Sequence, residues 1–316
     1  MKDDSTKFLF TLLFLAAVFF IASFAAVNEA KEVQPDDSAV PAIEPYRAVF
    51  FDIAPEISAS SVVISRLKTG QELFAKNLDA LMPVASITKL LTAVIFLEYA
   101  DLFDLVTITH DAKNPQDTGE KMSALSAGER AKGEDVLKMM MIGSYNDSAR
   151  SAAEFVSKKT NPLHDSSTFP DRMKFFSDLM NEKAAEIGMA SSHFDNPAGL
   201  DSIDNYSTAR DLLSLVSYIT EHQPRIWDVS RIYETDIFSF SGAKLHLVNT
   251  NPLLRGIFNI LGTKTGSTDL AKESLVLVVN IKANDPIAFV VLRSDDRWKD
   301  AQTLIEWVKL VYNLSG

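Results

Sequence analysis

The chain has 316 residues and no cysteine. That excludes disulfides, thiolate nucleophiles and cysteine-ligated zinc. Histidine is scarce: His110, His164, His193, His222 and His246 stand singly, no two at metal-ligand spacing, so neither a metal nor a cofactor is expected. Basic charge is the minority, 31 Lys and Arg against 42 Asp and Glu, for a formal net charge of −11. Nucleic-acid affinity rests on clustered basic charge, so no nucleic-acid partner is expected. No Gly-x-Ser-x-Gly elbow occurs, and a serine nucleophile would need another base, for which lysine is the candidate. Repeats of useful period are also missing.

One long hydrophobic run is present. Residues 8–27 carry no charge, with only Thr11 and Ser23 as polar breaks. A helix of that length spans about 30 Å, one bilayer core. Lys2 and Lys7 precede the run and Glu29, Glu32, Asp36 and Asp37 follow it, which places the remainder of the chain outside the cytoplasm. Residues 1–27 read either as a signal peptide, with Ser23-Phe24-Ala25 as a cleavage site, or as an uncleaved anchor in the cytoplasmic membrane. Residues 28–45 are acidic, contain Pro35, Pro41 and Pro45, and read as an extended linker. Residues 46–316 are expected to form one folded catalytic domain, on the periplasmic or outer face of the membrane.

Within that domain, residues 60–67 and 71–76 flank Lys68-Thr69-Gly70 as a hairpin. Helical length and pattern occur at 86–99, 134–142, 147–158, 172–187 and 209–220. A second hairpin is expected at 232–240 and 244–248, strands at 261–265, 274–281 and 287–292, and a closing helix at 298–314. Strands at both ends with helices between them predict an α+β fold, an antiparallel sheet covered by helices with an additional helical subregion. The first hairpin must then join the late strands in one sheet.

Three Ser-x-x-Lys patterns are present: Ser65…Lys68, Ser86…Lys89 and Ser241…Lys244. The first and third cross hairpin turns. Only Ser86…Lys89 opens a helix, where positions i and i+3 share a face and the first-turn N–H groups are free. Taken alone, the pair also reads as an N-capping serine with a solvated lysine. Ser144-Tyr145-Asn146 lies between two predicted helices, and Lys264-Thr265-Gly266 ends a predicted strand.

In this order, Ser86-Ile87-Thr88-Lys89, Ser144-Tyr145-Asn146 and Lys264-Thr265-Gly266 resemble the penicillin-binding and serine β-lactamase superfamily. Met82-Pro83-Val84-Ala85, Asn146-Asp147-Ser148-Ala149, the segment from Phe194 through Asn196-Pro197-Ala198-Gly199 to Asp201, Tyr206-Ser207-Thr208-Ala209 and Asn249-Thr250-Asn251 narrow the resemblance to the D-alanyl-D-alanine carboxypeptidases, the low-molecular-weight penicillin-binding proteins. It covers about residues 45–310. The resemblance implies a penicillin-sensitive serine hydrolase acting on peptidoglycan stem peptides outside the cytoplasmic membrane. Ser86 is then the nucleophile, Lys89 its base with a pKa lowered by burial and by Lys264, Ser144 a proton relay, and Asn146 a holder of Lys89 and of the substrate amide. Lys264 and Thr265 face the terminal carboxylate, and Gly266 lets substrate lie along the strand edge. The backbone N–H groups of Ser86 and Ser267 form the oxyanion hole. Arg293, on the last strand, is expected to add carboxylate recognition. Tyr145 departs from the glycine common in carboxypeptidases and is expected to narrow the cleft. D,D-Carboxypeptidase is the leading activity. D,D-endopeptidase, serine β-lactamase and a non-catalytic sensor of wall peptide or β-lactam are the alternatives. For the β-lactamase, Glu182, Glu186 and Asp195 lie in the relevant interval without a Glu-x-x-Leu-Asn element.

Overall fold

The computed structural model describes residues 44–49, 54–114 and 120–314. The expected leader at 1–27 and nearly all of the linker at 28–45 lie outside the described residues. From Pro45 onward the chain is one compact unit. Its strands are β1 (Ser61–Arg66), β2 (Glu72–Lys76), β3 (Leu105–Thr107), β4 (Arg130–Lys132), β5 (Glu234–Phe238), β6 (Lys244–Val248), β7 (Asn259–Thr268), β8 (Lys272–Lys282) and β9 (Asp285–Ser294). The helices are α1 (Lys89–Tyr99), α2 (His110–Lys113), α3 (Gly133–Lys138), α4 (Asn146–Thr160), α5 (Phe169–Ile187), α6 (Ala209–His222), α7 (Arg225–Ser230) and α8 (Arg297–Val311).

The main sheet is antiparallel in the order β2-β1-β9-β8-β7, so the first hairpin does join the late strands. The period-2 alternation of a strand explains how one sheet serves two cores. Val63, Val276, Val278, Ala288 and Val290 face the helical core that holds α1. Val62, Ile64, Leu275, Leu277, Phe289 and Val291 face Ala301, Leu304, Ile305 and Val308 of α8. With both faces covered, β1 is buried at all six positions. The chain entering the domain is fixed at the far end of this sheet. Tyr46 stacks on Arg66 at 3.8 Å and its hydroxyl donates to Asp285, which also pairs with Arg66.

From Leu90 to Leu97 helix α1 has Thr92 as its one polar residue, and its residues Lys89 to Phe96 are all buried. A stretch so apolar belongs in an interior, and α1 lies within the larger of the two cores. The sequence pattern understated three features. The second hairpin is a separate two-stranded ribbon, β5 with β6, rather than part of the main sheet. A second short ribbon pairs β3 with β4. The helix expected at 134–142 ends at Lys138 and continues as a π-helical turn, Met139–Gly143, which delivers Ser144 in a left-handed conformation with φ 57°. Such turns inside helices often mark functional sites. Helix α5 begins three residues before its expected start, because Thr168 and Asp171 close a reciprocal capping box.

Candidate active site

Ser86 sits in a tight 3-10 turn, Ala85–Thr88, that leads directly into α1. Ala85 has φ 48°, a conformation unfavourable for a residue with a side chain. Two glycines leave room for it on either side. Gly199 has φ 80°, and a Cβ there would lie 1.9 Å from the Ala85 carbonyl oxygen. A Cβ on Gly266 of β7 would lie 2.7 Å from the Val84 carbonyl oxygen and 3.1 Å from Ala85 Cβ. The loop and the strand therefore close on the serine turn as two walls, neither of which tolerates a side chain. Gly266 also lines the cleft, and its missing side chain makes room for this turn.

Between the walls is a cleft of about 690 Å³, lined among others by Ser86, Ser144, Asn146, Thr265, Gly266 and Ser267. The i,i+3 spacing puts Lys89 Nζ 2.8 Å from Ser86 Oγ. The same ammonium nitrogen donates to Asn146 Oδ1 at 2.8 Å and to the Ala198 carbonyl at 2.6 Å. From β7, Lys264 Nζ donates to Ser144 Oγ at 2.8 Å and to its neighbour's carbonyl, Thr265 O, at 2.8 Å. Thr265 Oγ1 lies 2.6 Å from Thr250 Oγ1. Ser86, Lys89, Ser144, Asn146, Lys264, Thr265, Gly266 and Ser267, drawn from three separated motifs, thus share one cleft.

Both lysines are fully buried, and neither has a carboxylate partner within salt-bridge distance among the described residues. Burial penalises the charged form of each. It lowers the Lys89 pKa from 10.5 to about 7, assisted by Arg150 and Lys121 and opposed by Glu120 and Asp147. Lys264 is pushed well below its ordinary value, first by burial and then by Lys89, Lys121 and Arg297. The cleft is built to hold amines and to discourage their protons.

Two expected residues fall elsewhere. Arg293 is exposed and does not line the cleft. The β8–β9 register slips between Glu273 and Leu275, and Arg293 occupies that irregularity with φ 54°, which takes it out of the alternation of its strand. Arg297, at the start of α8, reaches the cleft instead, donating to the Gly266 carbonyl at 2.7 Å. Tyr145 does not narrow the cleft: its ring packs against Gly143 and beneath Lys121, with the ammonium 5.5 Å from the ring centre. Glu120, Lys121, Arg150 and Thr250 were missed. Glu120 and Lys121 precede the second motif in a stretch without periodicity, and no short pattern marks Arg150 or Arg297.

A family model described as D-alanyl-D-alanine carboxypeptidase, peptidase S11, matches residues 49–296. A D-alanyl-D-alanine endopeptidase of Escherichia coli is 32% identical over 81% of this chain and 78% of its own length. The D-alanyl-D-alanine carboxypeptidase DacF of Bacillus subtilis is 29% identical over 77% of this chain and 60% of its own. Among solved structures, the Streptomyces K15 DD-transpeptidase superposes with a TM-score of 0.73 at 26% identity, covering 81% of this chain and 98% of that one. With the fold, three motifs and a family match over most of the chain in agreement, this protein belongs to the D-alanyl-D-alanine carboxypeptidase family of serine peptidases.

Proposed function

We propose that the chain is a D,D-carboxypeptidase that removes the terminal D-alanine from peptidoglycan stem peptides through an acyl-enzyme on Ser86. The observation that carries this is the contact of Lys89, a buried lysine with no carboxylate in salt-bridge range among the described residues, with the Ser86 hydroxyl. Lys89 as a neutral amine takes the Ser86 proton while Oγ forms its bond to the carbonyl between the two D-alanines. The negative charge on the carbonyl oxygen is met by the backbone N–H groups of Ser86 and Ser267, each worth about 3 kcal/mol in the transition state. The proton taken by Lys89 is relayed through Ser144, hydrogen-bonded to Lys264, to the leaving amine as the C–N bond breaks, which leaves Lys89 neutral again. Water then attacks the ester, giving its proton back through the same base, and Ser86 is regenerated. Lys264, Thr265 and Arg297 receive the terminal carboxylate, in the place expected for Arg293. The substrate backbone lies along β7 as an added strand. β-Lactams, which mimic the acyl-D-Ala-D-Ala group, acylate the same serine.

Endopeptidase activity on cross-linked dimers is the second reading. It is favoured by one observation: the endopeptidases of Escherichia coli and Pseudomonas aeruginosa are matched over 78% of their own lengths, against 60% for the Bacillus carboxypeptidase. Purified muropeptides and mass spectrometry separate the two. Release of D-alanine from pentapeptides is the expected result, and conversion of dimers to monomers without it would replace carboxypeptidase by endopeptidase. A β-lactamase needs a carboxylate to activate the deacylating water. Between the second and third motifs, Asp201 is the one carboxylate lining the cleft among the described residues, and it is engaged by Thr268 Oγ1 and the Leu270 N–H. A fluorescent penicillin is therefore expected to label Ser86 durably. As a family that acts on peptidoglycan, these enzymes work outside the cytoplasm, and we place this one on the periplasmic or outer face of the membrane, held by residues 8–27 if they are not cleaved.

A further inference from the structure

Asn146 faces two ways. Its Oδ1 accepts from Lys89, while its Nδ2 donates to Glu120 Oε2 at 3.1 Å. Glu120 is paired with Arg150, whose Nη2 lies 2.9 Å from the same carboxylate oxygen, and both side chains are only 2% exposed. Arg150 is itself fixed, its Nε donating to the Ala112 carbonyl at 3.0 Å and its Nη2 contacting Met122 Sδ at 3.3 Å. An ionised carboxylate accepts hydrogen bonds and donates none. Of the two orientations open to the Asn146 amide, only the one that turns Nδ2 toward Glu120 satisfies it.

That orientation decides where the lone pair of Lys89 points. Lys89 Nζ has three polar neighbours: Ser86 Oγ, Asn146 Oδ1 and the Ala198 carbonyl. A neutral amine brings two hydrogens and one lone pair. The two carbonyl oxygens accept and cannot donate, so they take both hydrogens. The lone pair is left for Ser86, the one neighbour with a hydrogen to give. Were the amide reversed, Nδ2 would face Nζ and compete with the hydroxyl for that lone pair. We propose that Glu120, anchored by Arg150, is a positioning residue that locks the Asn146 amide and so reserves the lone pair of Lys89 for Ser86. This rests on the assignment of Ser86 as nucleophile and Lys89 as base.

Charge adds a second signature. Lys89 is faced by Arg150 and Lys121 on the positive side and by Glu120 and Asp147 on the negative side, with Lys264 across the cleft. Asp147 is occupied by Lys113 and by Ser123. Glu120→Gln supplies a side chain that donates as well as accepts, and it removes one of the negative charges that favour the Lys89 ammonium. The amide is then free to turn, and the base loses its proton at lower pH.

The test is the second-order rate of acylation by a fluorescent penicillin, measured from pH 5.5 to 10 on the full chain. It compares wild type, E120Q, N146A and the E120Q/N146A double variant, with thermal melts alongside. Misplacement of a reacting group costs up to about 100-fold. E120Q is expected to acylate about 10–100-fold more slowly at pH 8, with the midpoint of the rise in rate moved to lower pH. In the N146A background the same change is expected to cost less than about twofold, because there is no amide left to turn. Equal rates and midpoints in wild type and E120Q would overturn the proposal, as would the same loss in both backgrounds. If E120Q fails to fold, E120Q/R150M removes the buried charges together; it is expected to fold and acylate slowly, and a wild-type rate in it overturns the proposal. A wild-type chain that takes no label removes the parent assignment and this one with it, whereas normal labelling in E120Q removes this one alone.

Discussion

The site contains two serine–lysine pairs that look alike and are built differently. Ser86 and Lys89 are three residues apart on one turn of helix, and Ser144 and Lys264 are 120 apart and meet across the cleft, yet both O–N distances are 2.8 Å. Both lysines are fully buried, and both have lowered proton affinity. They differ in their other partners. Lys89 has two further acceptors, fixed on α4 and on the loop at Ala198, and a buried ion pair behind one of them. Lys264 has one further acceptor, the carbonyl of its own neighbour Thr265, which lines the cleft with Arg297. The first pair is saturated by the protein and suited to moving a proton. The second keeps unused donor capacity for a ligand.

The sharpest way to break the comparison is to remove each amine in turn. Lys89→Met takes away the proposed base, and acylation by penicillin is expected to fall by about 10³-fold or more. The same change should stabilise the fold. A lysine whose folded pKa is about 7 instead of 10.5 binds fewer protons folded than unfolded between those values. Stability of the wild type thus rises with pH across that window, and the advantage of Lys89→Met is largest at pH 7 and below and gone above 10.5. Melts of the two proteins across that range check it, and an advantage that does not shrink toward alkaline pH would contradict it.

Lys264→Met removes the contact proposed for the substrate carboxylate, a hydrogen bond to a charged group worth about 1.5–3 kcal/mol. A fall of about 10–100-fold in kcat/KM is expected for peptides ending in D-Ala-D-Ala. The loss should be much smaller for the same peptide with its terminal carboxylate amidated, since a proton relay alone would suffer equally with both. The pH profile separates the pairs less drastically. In the wild type, acylation is expected to rise about tenfold per pH unit below pH 7 and to level off above it, because only the neutral Lys89 accepts the serine proton. Smallest of all is the effect expected from Tyr145→Gly. Its ring packs on the protein and not in the cleft, so hydrolysis rates should stay within about threefold while the melting temperature drops.

The contrast between the pairs also explains what could be read from the sequence. A helix fixes the geometry of residues three apart, so Ser86 and Lys89 were legible from spacing and from the apolar run that follows them. The alternation of β8 and β9 and the hairpin of β1 with β2 were legible for the same local reason. Lys264 and Ser144 could be joined to the site only through a family resemblance, because no local rule brings residues 120 apart together. Glu120 and Arg150 were not legible at all: their pairing depends on the path of an irregular segment against α4. Arg293 was misassigned for want of one bulge, which turns a strand residue outward and hands its place to a helix start four residues later. The π-helical turn before Ser144 was hidden likewise, since Met139–Gly143 continues an apolar pattern that an ordinary helix would also carry.

In the main sheet, β1 lies between β2 and β9, and the serine turn rests against β7. The opening hairpin therefore waits for β9, the last strand among the described residues, before it acquires its neighbour, and the cleft has no far wall until β7 arrives. Contacts so distant along the chain form late and slowly. A growing polypeptide of this design carries Ser86 and Lys89 long before it carries the strand that closes the cleft around them.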